Sequence, residues 1–199
     1  MNKKTKEKIF YFDKNSKTIN IYKNQIYEIL DFISKEEQKL FLDLAINSEE
    51  KNWPINFDNE FQKNDQGISG TVMPLENLYR KEREEIEKRI ESLFKNSTRI
   101  NNIAAIQRYK PSKGMGIHKD DILDSSVKYG LVIYLNDDYE GGEINYPDLN
   151  LTIKPKARSI IFHPAGIDHQ VLEVKGNKTR YIFSSFIRGD EKLEVFDVE

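Results

Sequence analysis

The chain has 199 residues, of which 38% are hydrophobic and 11% aromatic, a formal net charge of −2, and no cysteine. That length suits one domain with a substantial core, and the missing cysteines exclude disulfides, thiolate-bound zinc, iron–sulfur clusters and cysteine nucleophiles together. Near-balanced charge argues against general nucleic-acid binding, and no apolar run approaches a membrane span or a signal-peptide core, so a soluble cytoplasmic protein is expected.

Residues 9–12 and 18–22 read as short strands around the turn-prone Asp13-Lys14-Asn15-Ser16. Gln25 to Ile33 is apolar and begins as extended chain. Ser34 then reads as an N-cap, with Glu37 three positions later completing a capping box. The helix behind it carries Leu40, Phe41, Leu44 and Ala45 on one face and should stop near Asn47-Ser48. Residues 49–74 read as irregular, broken by Trp53-Pro54, Gly67, Gly70 and Pro74. A second helix is expected over about 75–95, with Leu78, Ile86, Ile90, Leu93 and Phe94 as its apolar stripe. Its charged face reads as solvated, supported by i, i+4 pairs such as Glu84–Lys88.

From Ile100 onward the pattern changes to strands. Ile103–Tyr109, Tyr129–Leu135, Glu143–Tyr146, Leu149–Ile153, Ser159–His163, His169–Val174 and Arg180–Ile187 are short β-prone runs punctuated by Gly and Pro. The expected fold class is α+β, with N-terminal helices covering one face of a sandwich or barrel. The whole chain is expected as a single domain. Residues 1–99 supply N-terminal strands and supporting helices, 100–188 the β core and 189–199 a C-terminal tail.

The chemistry is concentrated in His118-Lys119-Asp120 and in His169, fifty-one residues after His118. Two histidines and one carboxylate are the facial set that holds non-haem Fe(II) with open positions. On a strand, the i, i+2 spacing turns both side chains of a His-x-Asp pair to one face, so the third ligand must arrive from another strand. A lone His-x-Asp is commonly a surface or hydrogen-bonding pair, and its surroundings have to decide. His163 is the alternative third ligand. It follows Ile160-Ile161-Phe162 and precedes Pro164, which reads as the close of a strand, so His169 is preferred. Asp121 could replace Asp120 but would sit on the opposite strand face.

Several stretches in order resemble the Fe(II)/2-oxoglutarate-dependent dioxygenases, and within them the prolyl 4-hydroxylase-like branch. They are Arg108-Tyr109-Lys110-Pro111, Gly116-Ile117-His118-Lys119-Asp120, Leu131-Val132-Ile133-Tyr134-Leu135-Asn136, Tyr139-Glu140-Gly141-Gly142-Glu143, Pro155-Lys156 and Ser159-Ile160-Ile161-Phe162. His169-Gln170-Val171 and Thr179-Arg180-Tyr181 complete the series. Asp31-Phe32-Ile33-Ser34 also resembles the family's entry into its supporting helix, and the likeness spans most of residues 26–188. Two positions depart from the family pattern. Ser112 stands where glycine is common, and Met115 where an aromatic is common near substrate or cosubstrate.

The resemblance implies a double-stranded β-helix, a jelly roll of two facing sheets. It implies Fe(II) held by His118, Asp120 and His169, with 2-oxoglutarate and O2 as cosubstrates and ascorbate as a possible requirement for sustained activity. It implies Arg180 as the anchor of the distal carboxylate of 2-oxoglutarate, helped by Tyr134. Tyr109 would line the pocket nearer the metal, and Ser184, four residues beyond Arg180 on the same strand face, is a weaker pocket residue. Arginine suits this role because its planar fork pairs with a carboxylate through two hydrogen bonds. Gly141-Gly142 reads as a turn with positive φ and not as a phosphate cradle.

The expected activity is hydroxylation of a C–H bond, of a prolyl or similar peptidyl residue, with succinate and CO2 as coproducts. Hydroxylation of a free amino acid or small molecule and nucleic-acid demethylation are alternatives in the same superfamily. A non-catalytic module that binds metal and 2-oxoglutarate is the alternative of a different class.

Overall fold

The computed structural model describes residues 6–12, 15–23, 25–56, 70–94, 99–100, 103–122 and 124–189. Asp13, Lys14, Gly67 and the C-terminal tail beyond Gly189 lie outside the described residues.

The chain opens with strands β1 (Lys6–Phe12) and β2 (Asn15–Tyr22), both longer than expected, followed by β3 (Ile26–Ile29). Helix α1 (Lys35–Asn47) starts where the capping box places it. The Ser34 hydroxyl accepts the Glu37 N–H at 3.0 Å, and the Glu37 carboxylate accepts the Ser34 N–H at 2.7 Å. Two N–H groups that the helix cannot pair internally are thereby satisfied.

Strands β4 (Ile55–Asn56) and β5 (Gly70–Pro74) correct the expectation that 49–74 is irregular throughout. Gly70 and Pro74 sit at the two ends of β5, where a strand tolerates them, and their punctuation hides the strand in between. Helix α2 (Arg80–Glu91) begins five residues later than expected. Tyr79 adopts a left-handed conformation, φ 50°, which breaks the helix before Arg80. Leu78 therefore lies outside the helix and is exposed, whereas Ile86 and Ile90 within it are buried; the helix also ends short of the expected 95, and Leu93 and Phe94 are buried just beyond its end. The charged pair along the helix is Arg80 with Glu84 at 2.8 Å.

Each β-prone run after Ile100 contains a strand, and three further strands, Arg99–Ile100, Met115–His118 and Glu140–Gly141, lie outside those runs. In chain order this half holds β6 (Arg99–Ile100), β7 (Ala105–Tyr109), β8 (Met115–His118) and β9 (Val127–Tyr134). Then come β10 (Glu140–Gly141), β11 (Ile144–Tyr146), β12 (Leu151–Ile153) and β13 (Ile160–Pro164). The last are β14 (His169–Val171), β15 (Val174–Lys175) and β16 (Arg180–Arg188).

The major sheet runs β1-β2-β3-β13-β9-β16-β7-β5-β4, with β6 beside β16. The minor sheet is β12-β11-β14-β8, and β10 pairs β15 as a separate ribbon. Every one of these pairings is antiparallel. This is the expected jelly roll with supporting helices. Two apolar clusters sit on the two faces of the major sheet. Leu131, Ile133, Ile160, Phe162, Phe183 and Ile187 pack with Phe41 and Ala45 of α1 and Ile86 and Ile90 of α2. The alternate residues Tyr134, Ile161 and Ile182 pack with Ile144, Tyr146 and Ile153 of the minor sheet. Strand period two sends each residue to one cluster or the other. Among the described residues no helix is long and apolar enough to cross a membrane.

Candidate active site

The minor sheet brings the two outer members of the candidate triad together. Strands β8 and β14 pair antiparallel with His169 directly opposite His118. Asp120 does not share a strand with His118, which corrects the sequence expectation. Strand β8 ends at His118, and Asp120 lies in the turn beyond it. Its N–H donates to the Ala165 carbonyl at 2.9 Å, which fixes that turn against the end of β13. The carboxylate still converges on the histidines. Its Oδ1 lies 3.7 Å from His118 Nε2 and 3.7 Å from His169 Nε2. The ligand atoms of the three residues all fall within 4.8 Å of one another, so they could hold one metal ion.

Backbone carbonyls set the histidine tautomers. His118 Nδ1 donates to Gly116 O at 2.8 Å, and His169 Nδ1 donates to Ile167 O at 3.0 Å. A carbonyl can only accept, so Nδ1 carries the proton in both rings and each Nε2 lone pair is left for a metal. Burial, reinforced by neighbouring His163 and His118 against the opposing pull of Asp120, pushes the His169 pKa down to about 3. His169 is therefore neutral near pH 7, the form that ligates. Burial works against the Asp120 charge, but the hydrogen bond from His163 holds its carboxyl below the ordinary 3.8. The donor set is two neutral imidazoles and one carboxylate, which suits a non-haem Fe(II) centre with open positions. Asp121 does not enter the group; its Oδ2 points toward Gly166.

His163 is not a spare at the rim. It is buried in β13, with Nε2 3.2 Å from Asp120 Oδ2 and Nδ1 3.0 Å from the Tyr146 hydroxyl. Opposite it on β9 stands Gly130. A Cβ at Gly130 would lie 1.9 Å from Asp120 Oδ2 and 2.8 Å from His163 Nε2. Only glycine leaves room there for the carboxylate. A glycine inside the apolar Tyr129–Leu135 run was the available signal for a close approach.

Deeper between the sheets, Arg180 is fully buried at the start of β16, and its Nε and both terminal nitrogens have no hydrogen-bond partner among the described residues. Its guanidinium stands 4.9 Å from the ring centroid of Tyr109 and 5.1 Å from that of Tyr134. The hydroxyls of Tyr134 and Tyr139 are likewise buried without partners. Burial pushes all three phenols above their ordinary 10, with Arg180 pulling the other way, so all three remain O–H donors. Burying a cation with no anionic partner costs on the order of several kcal/mol in a folded protein. Three cationic donors and two phenols, buried together without hydrogen-bond partners, fit a small carboxylate.

Tyr109 on β7 pairs directly with Arg180 across the sheet. Its hydroxyl lies 3.6 Å from Met115 Sδ, so the methionine at the position of the common aromatic packs directly on the pocket wall. Gly142, with φ +65°, would carry a Cβ 3.0 Å from the Tyr139 ring and 3.1 Å from Arg180 Cδ. The double-glycine turn has the positive φ values expected of it and also makes space for the clamp. Tyr139 is a pocket residue that sequence reasoning missed; its place before the double glycine was the only signal. Ser184 is on the same strand face as Arg180 and Ile182, paired across to Val132, but its side chain makes no hydrogen bond among the described residues.

Residues 104–188 match a family model described as the 2OG-Fe(II) oxygenase superfamily. No curated protein matches the chain. Among solved structures it is similar to the viral collagen prolyl hydroxylase of Paramecium Bursaria Chlorella virus-1 in its 2OG complex. That match has 23% identity and a TM-score of 0.54, covering 84% of this chain and 97% of the other. It is similar to a Pseudomonas putida prolyl-4-hydroxylase at 13% identity and TM-score 0.60, over 82% and 92% of the two chains. A third is a Trichoplax adhaerens prolyl hydroxylase in complex with a hypoxia inducible factor oxygen degradation domain peptide fragment. The identity is 14% and the TM-score 0.67, over 85% and 86%. At these identities the likeness to solved structures is one of fold.

Proposed function

We propose, on the premise that residues 104–188 carry the core of a 2OG-Fe(II) oxygenase, that this enzyme hydroxylates a C–H bond of a prolyl or similar peptidyl residue. Fe(II), 2-oxoglutarate and O2 are the cofactors of that superfamily. The observation that carries the reading is Arg180, a buried cation without a hydrogen-bond partner, on the same sheet wall that faces the His118–Asp120–His169 group. The two facing sheets thus offer a site for a metal, with His118 and His169 on the minor sheet, and a site for a dicarboxylate at Arg180 on the major sheet.

The residues divide the work as follows. His118 Nε2, His169 Nε2 and Asp120 Oδ1 would hold the iron. Arg180 would pair with the distal carboxylate of 2-oxoglutarate, and the Tyr134 and Tyr139 hydroxyls would donate to its remaining lone pairs. The neutral phenols add donors without adding negative charge beside an anion. Tyr109, Ile144 and Ile182, packed between the sheets with Met115 against them, would keep water from the bound cosubstrate. With iron and 2-oxoglutarate in place, the cofactors supply an oxidant strong enough to hydroxylate an unactivated C–H bond, at the expense of decarboxylating 2-oxoglutarate to succinate and CO2.

The peptide assignment is supported by the rim. Ile117 and Ile122 flank the His118–Asp120 segment and are 48% and 66% exposed. Large exposed apolar side chains beside a reactive centre favour a substrate with its own apolar surface over a small polar metabolite. The Trichoplax prolyl hydroxylase, similar in fold, holds a peptide fragment.

Purified protein supplied with Fe(II), ascorbate and 2-oxoglutarate should form succinate, and proline-containing peptides should stimulate it more than free amino acids or methylated oligonucleotides. His118→Ala or Asp120→Ala should abolish it. Succinate formation unchanged in both variants would remove the ligand assignment, and stimulation by free amino acids alone would remove the peptide.

A further inference from the structure

We propose that His163 is a positioning residue that restricts Asp120 to one-oxygen ligation of the metal. The inference rests on the metal reading above and concerns what the remaining histidine does beside it.

The two carboxylate oxygens of Asp120 have different surroundings. Oδ1 is 3.7 Å from each of the two ligand Nε2 atoms. Oδ2 faces away from them and lies 3.2 Å from His163 Nε2. An ionised carboxylate only accepts, so His163 must carry its proton on Nε2. A neutral imidazole protonated there has a bare Nδ1, and the Tyr146 hydroxyl 3.0 Å away must donate to it. Donation therefore runs one way, from the Tyr146 O–H to His163 Nδ1 and from His163 Nε2–H to Asp120 Oδ2. The phenol fixes the tautomer, and the tautomer fixes the carboxylate.

Three further features serve this one contact. Tyr146 and His163 are buried, so water does not compete for either bond. The His163 ring packs against the ligand His169, with centroids 4.2 Å apart, so it cannot swing away without disturbing the triad. Gly130, paired with His163 across the sheet, leaves the slot that the bond occupies.

The consequence is a coordination count. A carboxylate free to rotate can offer both oxygens and fill two metal positions. With Oδ2 held by His163, Asp120 offers Oδ1 alone. A metal held there would keep open positions for cosubstrate and oxygen. Partners that orient a metal ligand from outside are worth roughly 10–100-fold in metal affinity.

The test uses the full chain with Mn(II) for affinity and Co(II) for the visible spectrum, neither of which needs turnover. His163→Phe should weaken Mn(II) binding by roughly 10–100-fold and alter the Co(II) absorption bands. His163→Gln, whose amide can still donate to Oδ2, should recover most of the affinity and the wild-type spectrum. Tyr146→Phe, which removes one hydroxyl, should fall between them and guards against a His163→Phe that fails to fold. Wild-type affinity and spectrum in the His163→Phe and Tyr146→Phe proteins would overturn the proposal, as would a His163→Gln protein as impaired as His163→Phe. A wild-type protein that binds neither ion would instead overturn the metal reading, which separates the two failures.

Discussion

On one face of the major sheet, Leu131, Ile133, Ile160, Phe162, Phe183 and Ile187 pack against the two helices. On the other face the same strands present Gly130, Tyr134, Ile161, His163, Arg180 and Ile182 to the minor sheet. The first face is apolar. The second is where hydrogen bonding is left unfinished. Among the described residues, the buried side-chain atoms without a partner all belong, except those of Glu28 and Trp53, to Arg180 and the tyrosines around it. A folded protein tolerates such gaps where a ligand closes them. The sheet thus separates stability from function by strand period alone.

That contrast can be broken from either side. The largest expected effect is on the helix face. Phe183→Ala removes a buried ring in edge contact with Phe41, and should cost about 3–5 kcal/mol of stability in denaturant titrations while leaving 2-oxoglutarate affinity unchanged. On the opposite face, Arg180→Met should not lower the thermal midpoint of cofactor-free protein and should raise it. An apolar side chain replaces an unpaired buried cation there, a change worth up to about 1–4 kcal/mol in comparable cases. A midpoint lowered as far as that of Phe183→Ala would erase the distinction between the faces.

Acid should also act through the site face. The His169 pKa lies at about 3 in the fold against an ordinary 6.5. Between those values the unfolded chain binds a proton that the folded chain refuses, so stability falls as pH drops through that window. Asp120, depressed below 3.8, contributes stability above that value and loses it as pH falls through its lower folded pKa. Both signs agree, and the thermal midpoint of metal-free protein should decline from pH 7 to pH 4. A flat profile would mean that the site is not buried in solution. The smallest effect is local. Ser34→Ala removes the α1 cap and should cost about 0.5–2 kcal/mol without touching metal affinity.

Much of this division was legible in the residues. The capping box located the start of α1, and period-two runs located seven strands of the β-rich half. His118, Asp120 and His169 stood out because few chemistries use that set, and Arg180 because it opens an apolar strand. Other features were hidden because they depend on register. His163 meets Asp120 only because β13 lies beside β9 with Gly130 opposite. The role of Gly130 is a distance to a residue ten positions away, and no local pattern expresses it. Tyr139 reaches Arg180 through a turn set by two positive-φ glycines. Strand β5 was missed because its pairing with β7 overrides the breakers at its ends, and α2 was drawn too long because the left-handed Tyr79 has no signature in hydrophobic periodicity.

The most direct test of the central claim, that the facing sheets are built to hold a metal and a dicarboxylate, is a calorimetric titration of 2-oxoglutarate into Mn(II)-loaded protein. Wild type should bind one equivalent, and Arg180→Met should bind at least about 30-fold more weakly, since truncating one partner of a buried charged pair costs 2–5 kcal/mol. Equal affinity in the two proteins would contradict the account, because the buried guanidinium would then hold something other than this ligand.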